Sequence, residues 1–353
     1  MVEITFSAHA LFKALEFFDK ILGSQEKRYL IFFSKDGLFL GGGDNFLNAN
    51  LKLKSHITLL QNYTFPLDTL RLFLKDKLEQ PVKIIFSNPL KFITLKEKLS
   101  IKTWPSSLSF IQTKNKYLGT ISVQTLRRIL DLGSIISEEG ESIFLFLQKG
   151  YFGVLSENKK FISCAFTPFK TNFNATFSVQ YTFLRRLIKA LQFLSEKKIF
   201  LFLSSQNLTF LLPQLKINLG FSPINNDIFS LLHNIFTTHP LVRFKVNLKE
   251  FKKNLAKLAR MHKYLTPIGN IIFESDNCIF KIVSSQGDYI INLPLKISLS
   301  SPLIIDCHFP QLHSLCSRLN GKEINISFLP TGCLLKHGQF FCLIKKRPLS
   351  HLI

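Results

Sequence analysis

Tryptophan occurs once in 353 residues, and acidic side chains are scarce, with 23 Asp and Glu against 45 Lys and Arg. None of the six cysteines forms a Cys-x-x-Cys pair, so the usual framework of a structural zinc site is missing. The longest apolar runs are of strand length, far short of a membrane-spanning helix. The opening residues, MVEITFSAHA, lack a basic start followed by an apolar stretch, so no signal peptide is visible. Enzyme signatures are missing as well: there is no His-Glu-x-x-His and no Gly-x-Ser-x-Gly. Gly41-Gly42-Gly43-Asp44 is not followed by the Gly-Lys-Ser/Thr of a phosphate loop and reads as a turn at a strand end. Glu138, Glu139 and Glu141 read as a solvated acidic loop. These absences lead to the expectation of a cytosolic, reduced, non-catalytic chain that needs no cofactor, no metal and no membrane.

What is abundant points elsewhere. The hydrophobic fraction is 46%, enough for real cores, and Phe alone accounts for 37 residues. The formal net charge of +22 favours a polyanionic partner, nucleic acid before membrane. Most cysteines sit inside apolar runs, where the thiol behaves as a small buried hydrophobe.

One phrase recurs six times: a β-type lead-in, an amphipathic helix with basic residues between its apolar positions, then more strands. It reads SAHALFKALEFFDKIL from Ser7, PLDTLRLFLKDKL from Pro66 and SVQTLRRILDL from Ser122. It returns as QYTFLRRLIKALQFL from Gln180, NLKEFKKNLAKLARM from Asn247 and HFPQLHSLCSRLNG from His308. The starts lie about 60 residues apart, which marks a repeat architecture. In the first helix Leu11, Leu15, Phe18 and Leu22 share one face, at i, i+4, i+7 and i+11. Hairpin-sized gaps between the strands leave no room for parallel crossovers, so the fold class is α+β with antiparallel sheets. Polar or turn-rich stretches at 106–116 and 222–240 divide the chain into three domains, 1–113, 114–240 and 241–353, each with two helices packed on sheets.

In this order, the segments LFLGGGDNFLNANLKL, YFGVLSENKKFISCAF, KTWPSSLSF and EINISFLPTGCLLKHGQFFCLIKKRPL resemble the bacterial DNA polymerase III β subunit, the sliding clamp. The resemblance covers essentially the whole chain and rests on ordered segments rather than on one motif. It implies three clamp-type domains forming half of a six-domain ring, closed by a head-to-tail homodimer, with helices lining the hole and sheets outside. Such a ring encircles duplex DNA and tethers a polymerase without chemistry of its own. The residues that would face DNA are Lys13, Lys20, Arg71, Lys75, Arg127, Arg128, Arg185, Arg186, Lys189, Lys252, Lys253, Lys257 and Arg318. Polymerase and clamp loader would dock through short peptide motifs beside the C-terminal strand. The resemblance places Lys159, Lys160, Phe161, Phe229, His233, Leu343, Ile344 and Arg347 there. It also implies a cytoplasmic, nucleoid-associated protein.

The chain departs from the family where Gly-His-Arg becomes Asn158-Lys159-Lys160, where Met-Pro-Met becomes Ile344-Lys345-Lys346, and in its strongly positive charge. The alternatives that stay open are a divergent or phage-encoded clamp paralogue acting in repair, and a nucleic-acid-binding scaffold that forms no ring.

Overall fold

The computed structural model describes residues 2–24, 26, 28–104, 115–148, 150–171, 173–224, 228–261, 268–284, 287–294, 299 and 302–345. Most of the first boundary stretch, Arg347 and the terminal residues 348–353 lie outside that set. The chain divides into two compact units, one comprising Met1–Arg127, Phe169–Thr171 and Thr182–Pro223, the other Arg128–Pro168, Asn172–Tyr181 and Ile224–Ile353.

The expected α+β class is observed, with antiparallel sheets and seven α-helices among the described residues. They are α1 (Ala8–Leu22), α2 (Leu67–Leu74), α3 (Val123–Gly133), α4 (Tyr181–Ala190), α5 (Ile228–Thr237), α6 (Leu248–Met261) and α7 (Phe309–Ser317). Six coincide with the recurring phrase. α5 was not expected, because 222–240 read as a connector; its physical basis is the i, i+4, i+7 spacing of Ile228, Leu232 and Ile235, all buried. The first helix buries the face its sequence marked out: Leu11, Leu15, Phe18 and Leu22 are at most 2% exposed, while Lys13 points to solvent. Ser7 caps that helix by accepting from the Ala10 amide at 3.4 Å.

The phrases are interlocked two by two through their lead-in strands. In the first unit Val2–Ser7 pairs with Pro81–Phe86 of the second phrase, while Tyr63–Pro66 returns to pair with Tyr29–Ser34 of the first. The same exchange joins the fourth phrase to Lys116–Ser122 and the third to Ala175–Gln180. It recurs for Val242–Asn247 with Glu323–Leu329 and for Leu303–His308 with Ile268–Phe273. No phrase can complete its sheet alone, which is why the repeat comes in pairs.

Last strands then meet last strands. In the first unit Leu47–Ser55 pairs antiparallel with Leu215–Gly220, making an eight-stranded sheet of the first and fourth phrases edged by the lead-in strands of the second and third. In the second unit Phe161–Pro168 pairs with Phe340–Lys345, with Phe161 opposite Ile344 and Ala165 opposite Phe340. Two four-stranded sheets remain, ending in the last strands of the second and fifth phrases, Lys98–Ile101 and Gly287–Pro294. Among the described residues neither of those strands has a neighbour on its outer side.

Among the described residues a small polar turn recurs at four strand connections. Asp44, Thr94, Asn158 and Ser204 each donate a backbone N–H to the carbonyl three residues on, at 2.9 Å in every case. Each side chain accepts the return bond from the amide of that third residue, at 2.8 to 3.3 Å. The Gly41-Gly42-Gly43-Asp44 segment is accordingly a strand end. At Gly43, with φ +135°, a Cβ would stand 2.3 Å from the Leu47 carbonyl oxygen and the Asn48 Cα, so only glycine fits.

All six cysteines are buried, as expected from their apolar settings. Burial raises their thiols, that of Cys316 to about 12.

Candidate nucleic-acid interface and partner surface

The basic side chains singled out in the sequence fall into two groups. Lys13, Lys75, Arg127, Arg128, Arg185, Lys189, Lys253 and Lys257 are exposed. Each stands off the apolar face of its helix, the place where burial makes no demand and a long flexible cation meets solvent. On α3 the contrast is local: Leu126, Ile129 and Leu130 are buried, while Arg127 and Arg128 between them are exposed. Such cations attract phosphate without reading bases.

The second group is paired within the chain, most of it half-buried and Arg318 exposed. Asp19 accepts from Lys20 at 2.6 Å, from Arg28 at 2.5 Å and from Arg71 at 2.6 Å. Arg71 also faces Glu16 at 3.3 Å. Arg318 pairs with Asp131 in the second unit. Lys252 of α6 donates to the carbonyls of Ser317, at 3.3 Å, and Leu319, thereby capping the C-terminal end of α7.

Arg186 departs most from its expected place. Its side chain is 11% exposed, it donates to the Ile21 carbonyl through Nε at 2.6 Å and through Nη2, and Nη1 meets Asp44 at 2.8 Å. The guanidinium also lies 5.4 Å from the centre of the Phe183 ring. Arg186 thus holds the end of α1 and the Asp44 turn on α4 and is not presented to a phosphate, whereas its sequence neighbour Arg185 is exposed. The chain periodicity places the two side by side, but only the half-buried Asp44 carboxylate separates their roles.

The Asp19 cluster gives a pH expectation. Burial alone would raise the carboxyl, yet hydrogen bonds from Lys20 and Arg28 and the charge of Arg71 outweigh it and hold Asp19 below its ordinary value of 3.8. A depressed folded-state pKa contributes stability that is complete above the ordinary value and is lost as pH falls through the folded one. Thermal unfolding followed from about pH 5 down to about pH 2 is therefore expected to show a steeper loss for the native chain than for Asp19→Asn. Parallel curves would mean that the cluster adds nothing.

The partner surface expected beside the C-terminal strand lies wholly in the second unit. Its turn is set by Asn158, whose Oδ1 accepts from the amides of Lys160 at 2.9 Å and Phe161 at 2.8 Å. Ser156 and Ser163 are buried and donate to the Gly133 and Leu132 carbonyls at the end of α3. Lys345 clips the last described strand to this turn, through Glu157 at 2.5 Å and the Asn158 carbonyl at 2.9 Å. Of the residues named from sequence, Lys159 and His233 are exposed and Lys160 is half-buried. Phe161, Leu343 and Ile344 are at most 3% exposed; Leu343 joins the apolar cluster of the seam, whereas Phe161 and Ile344, one position along their strands, face the other side of the sheet. The Phe229 side chain and Arg347 lie outside the described residues.

Sequence reasoning missed what covers this seam. Ile228, Leu232 and Ile235 of α5 share one apolar cluster with Phe146, Leu155, Ile162, Cys164, Phe341 and Leu343. Phe236 stays 44% exposed, stands edge-on to Phe341 at 4.9 Å, and has the Lys336 ammonium 5.5 Å from its ring centre. The helical spacing of Ile228, Leu232 and Ile235 was the available signal; the turn-type residues around it masked it.

Among the described residues no group of three or more His, Cys, Asp or Glu side chains is placed to hold a metal, and no helix is long and apolar enough to cross a membrane.

Interlocked phrase pairs, antiparallel sheets fused last strand to last strand and helices packed against them define the sliding-clamp fold, and this chain has it over nearly its whole length. The DNA polymerase III β subunit of Thermotoga maritima is similar, with a TM-score of 0.84 at 12% identity, covering 98% of this chain and 99% of that one. A putative β subunit from Eubacterium rectale gives 0.84 at 13% identity, covering 98% and 100% of the two chains. The Pseudomonas aeruginosa β subunit gives 0.84 at 11% identity, covering 99% and 100%. No protein-family model and no curated protein matches the sequence itself.

Proposed function

We propose that this chain is a DNA sliding clamp. Two copies close head to tail into a six-domain ring around duplex DNA and tether a polymerase for processive synthesis, with no catalysis in the ring itself. The three clamp domains are 1–113, 114–240 and 241–353. Polymerase and clamp loader dock through short peptides with apolar anchors, and the ring works in the cytoplasm on the nucleoid.

The observation that carries this reading is the pattern of last-strand pairing. Within the chain the first phrase pairs with the fourth and the third with the sixth. The next step of that rule joins the fifth phrase to an eighth, which is the second phrase of the following copy. Those are the two phrases whose last strands, Gly287–Pro294 and Lys98–Ile101, lack an outer neighbour among the described residues. The two edges differ, so joining them is heterologous, and repeated heterologous joining makes a ring wherever the rotation closes. Exposed edges invite pairing of this kind. The exposed Lys and Arg of the helices, in a chain of net charge +22, supply the sequence-independent attraction that a sliding ring needs.

Retention on DNA provides the test. Loaded chain is expected to stay on nicked circular DNA and to run off linear DNA of the same length. Reversing Arg127, Arg128, Lys253 and Lys257 to Glu is expected to flatten the logarithmic salt dependence of binding by about 0.9 for each phosphate no longer neutralised. Equal loss from circles and linear molecules would sink the topological mechanism, and an unchanged salt slope would remove these helices from the DNA-facing wall.

A further inference from the structure

A clamp-type partner surface needs apolar ground that a peptide can reach. In the second unit the ground beside the C-terminal strand is covered by the chain's own α5. The cover and the ground are built differently. The sheet beneath is closed by continuous antiparallel ladders, five residue pairs between Phe161–Pro168 and Phe340–Lys345 and six between Gly332–His337 and Phe340–Lys345. It is clipped further by Lys345 to Glu157 and the Asn158 carbonyl. Among the described residues α5 joins that sheet through side chains, chiefly Ile228, Leu232, Ile235 and Phe236. Its threonine hydroxyls turn back into the helix: Thr237 donates to the His233 carbonyl at 2.8 Å and Thr238 to that of Asn234 at 2.5 Å. A helix of ten residues is marginal in water by itself, so α5 is helical because it is docked. Lifting it breaks no ladder of the sheet and uncovers the apolar residues of the seam.

We propose that α5 is a removable cover on this seam, and that partner peptides bind by displacing it. This rests on the reading of the seam as the partner surface. The occupant that fits is a short peptide with two or three apolar anchors and an acidic flank. The anchors replace Ile228, Leu232 and Ile235, and the flank meets Lys336, which is exposed and already stands over the exposed Phe236. Apparent affinity is then the intrinsic affinity multiplied by the fraction of chains whose cover is open, so partner binding is tuned by the stability of α5.

Asn234 gives a clean lever, because its side chain is exposed on α5 and stands outside the apolar cluster. The probe is a labelled synthetic peptide of sequence IFSLLHNIFT, the chain's own residues 228–237, extended by three aspartates and supplied to the full-length protein. Asn234→Gly is expected to bind it about fivefold more tightly than Asn234→Ala, the ratio set by the Gly–Ala difference in helix propensity. The variant Ile228→Ser/Leu232→Ser/Ile235→Ser, with its cover released, is expected to bind more tightly than either. Hydrogen exchange is expected to show α5 amides opening at least about tenfold faster than those of Phe340–Lys345. Equal affinities for the Gly and Ala variants overturn the proposal, as does exchange of α5 in step with the sheet. Should the triple variant fail to fold, the Asn234 pair decides alone. None of these measurements involves DNA or a ring, so a chain that runs off nicked circles yet passes them loses the clamp reading and keeps the cover.

Discussion

Leu99→Asp or Ile291→Asp is expected to leave the chain a monomer where the proposed ring would join two copies. Both residues lie on the outermost strands of the four-stranded sheets, where they are half-buried. Their faces are known from register: Leu99 stands opposite Phe92 and Ile291 opposite Phe280, and both phenylalanines are fully buried. Each side chain therefore points to the core side of its sheet, at an edge where no described strand of the same chain covers it. A second copy added across that edge would complete the burial. An aspartate there keeps its water in the monomer but loses it on assembly, at a cost of about 4 kcal/mol, or roughly a thousandfold in Kd. Light scattering at micromolar concentration is expected to give twice the chain mass for the native protein and a single chain mass for either variant, with circular dichroism unchanged. An undiminished mass would place the contact elsewhere on the surface.

Arg186→Ala is expected to reduce the unfolding free energy by about 2 kcal/mol, measured by urea denaturation. The variant leaves the Asp44 carboxylate without its Arg186 cation and takes two donors from the Ile21 carbonyl. It also removes aliphatic packing, since the Arg186 Cδ lies only 3.0 Å from where a Cβ on Gly23 would stand. Arg186→Lys is expected to recover only part of the loss, because a single ammonium cannot reach both acceptors with the geometry of a guanidinium fork. Arg185→Ala, on the exposed side of the same helix, is expected to change stability by less than about 0.5 kcal/mol. A loss below about 1 kcal/mol for Arg186→Ala would show that Asp44 finds another partner.

These two results separate what was legible in the sequence from what was not. The first helix and most of the strands follow from local alternation and helical spacing, because a side chain's face is fixed by its own backbone period. RYLIFF, GLFLGG and LNANLKL, for example, became Tyr29–Ser34, Gly37–Gly43 and Leu47–Ser55. α5 carried the same spacing but sits in a stretch whose Pro, Asn and Ser content read as a connector, and its helix forms because the seam offers an apolar floor. The basic stripe was legible as charge, yet charge alone cannot say which cations meet carboxylates held within the fold. Asp19 and Asp44 decided that for Lys20, Arg71 and Arg186.

The sequence by itself determined the repeat: six helices, their apolar faces, the strands that follow and the excess of positive charge, all set within a dozen or so residues of one another. Only the tertiary structure decided which strands exchange between phrases, which last strands fuse and which two are left open. The exchanges reach across tens of positions, as Val2 with Phe86, and the last-strand pairings across more than a hundred, as Leu47 with Leu219 and Phe161 with Ile344. Backbone hydrogen bonding is the same for every candidate partner strand. The choice among them belongs to side-chain packing across the whole core, which no local period encodes.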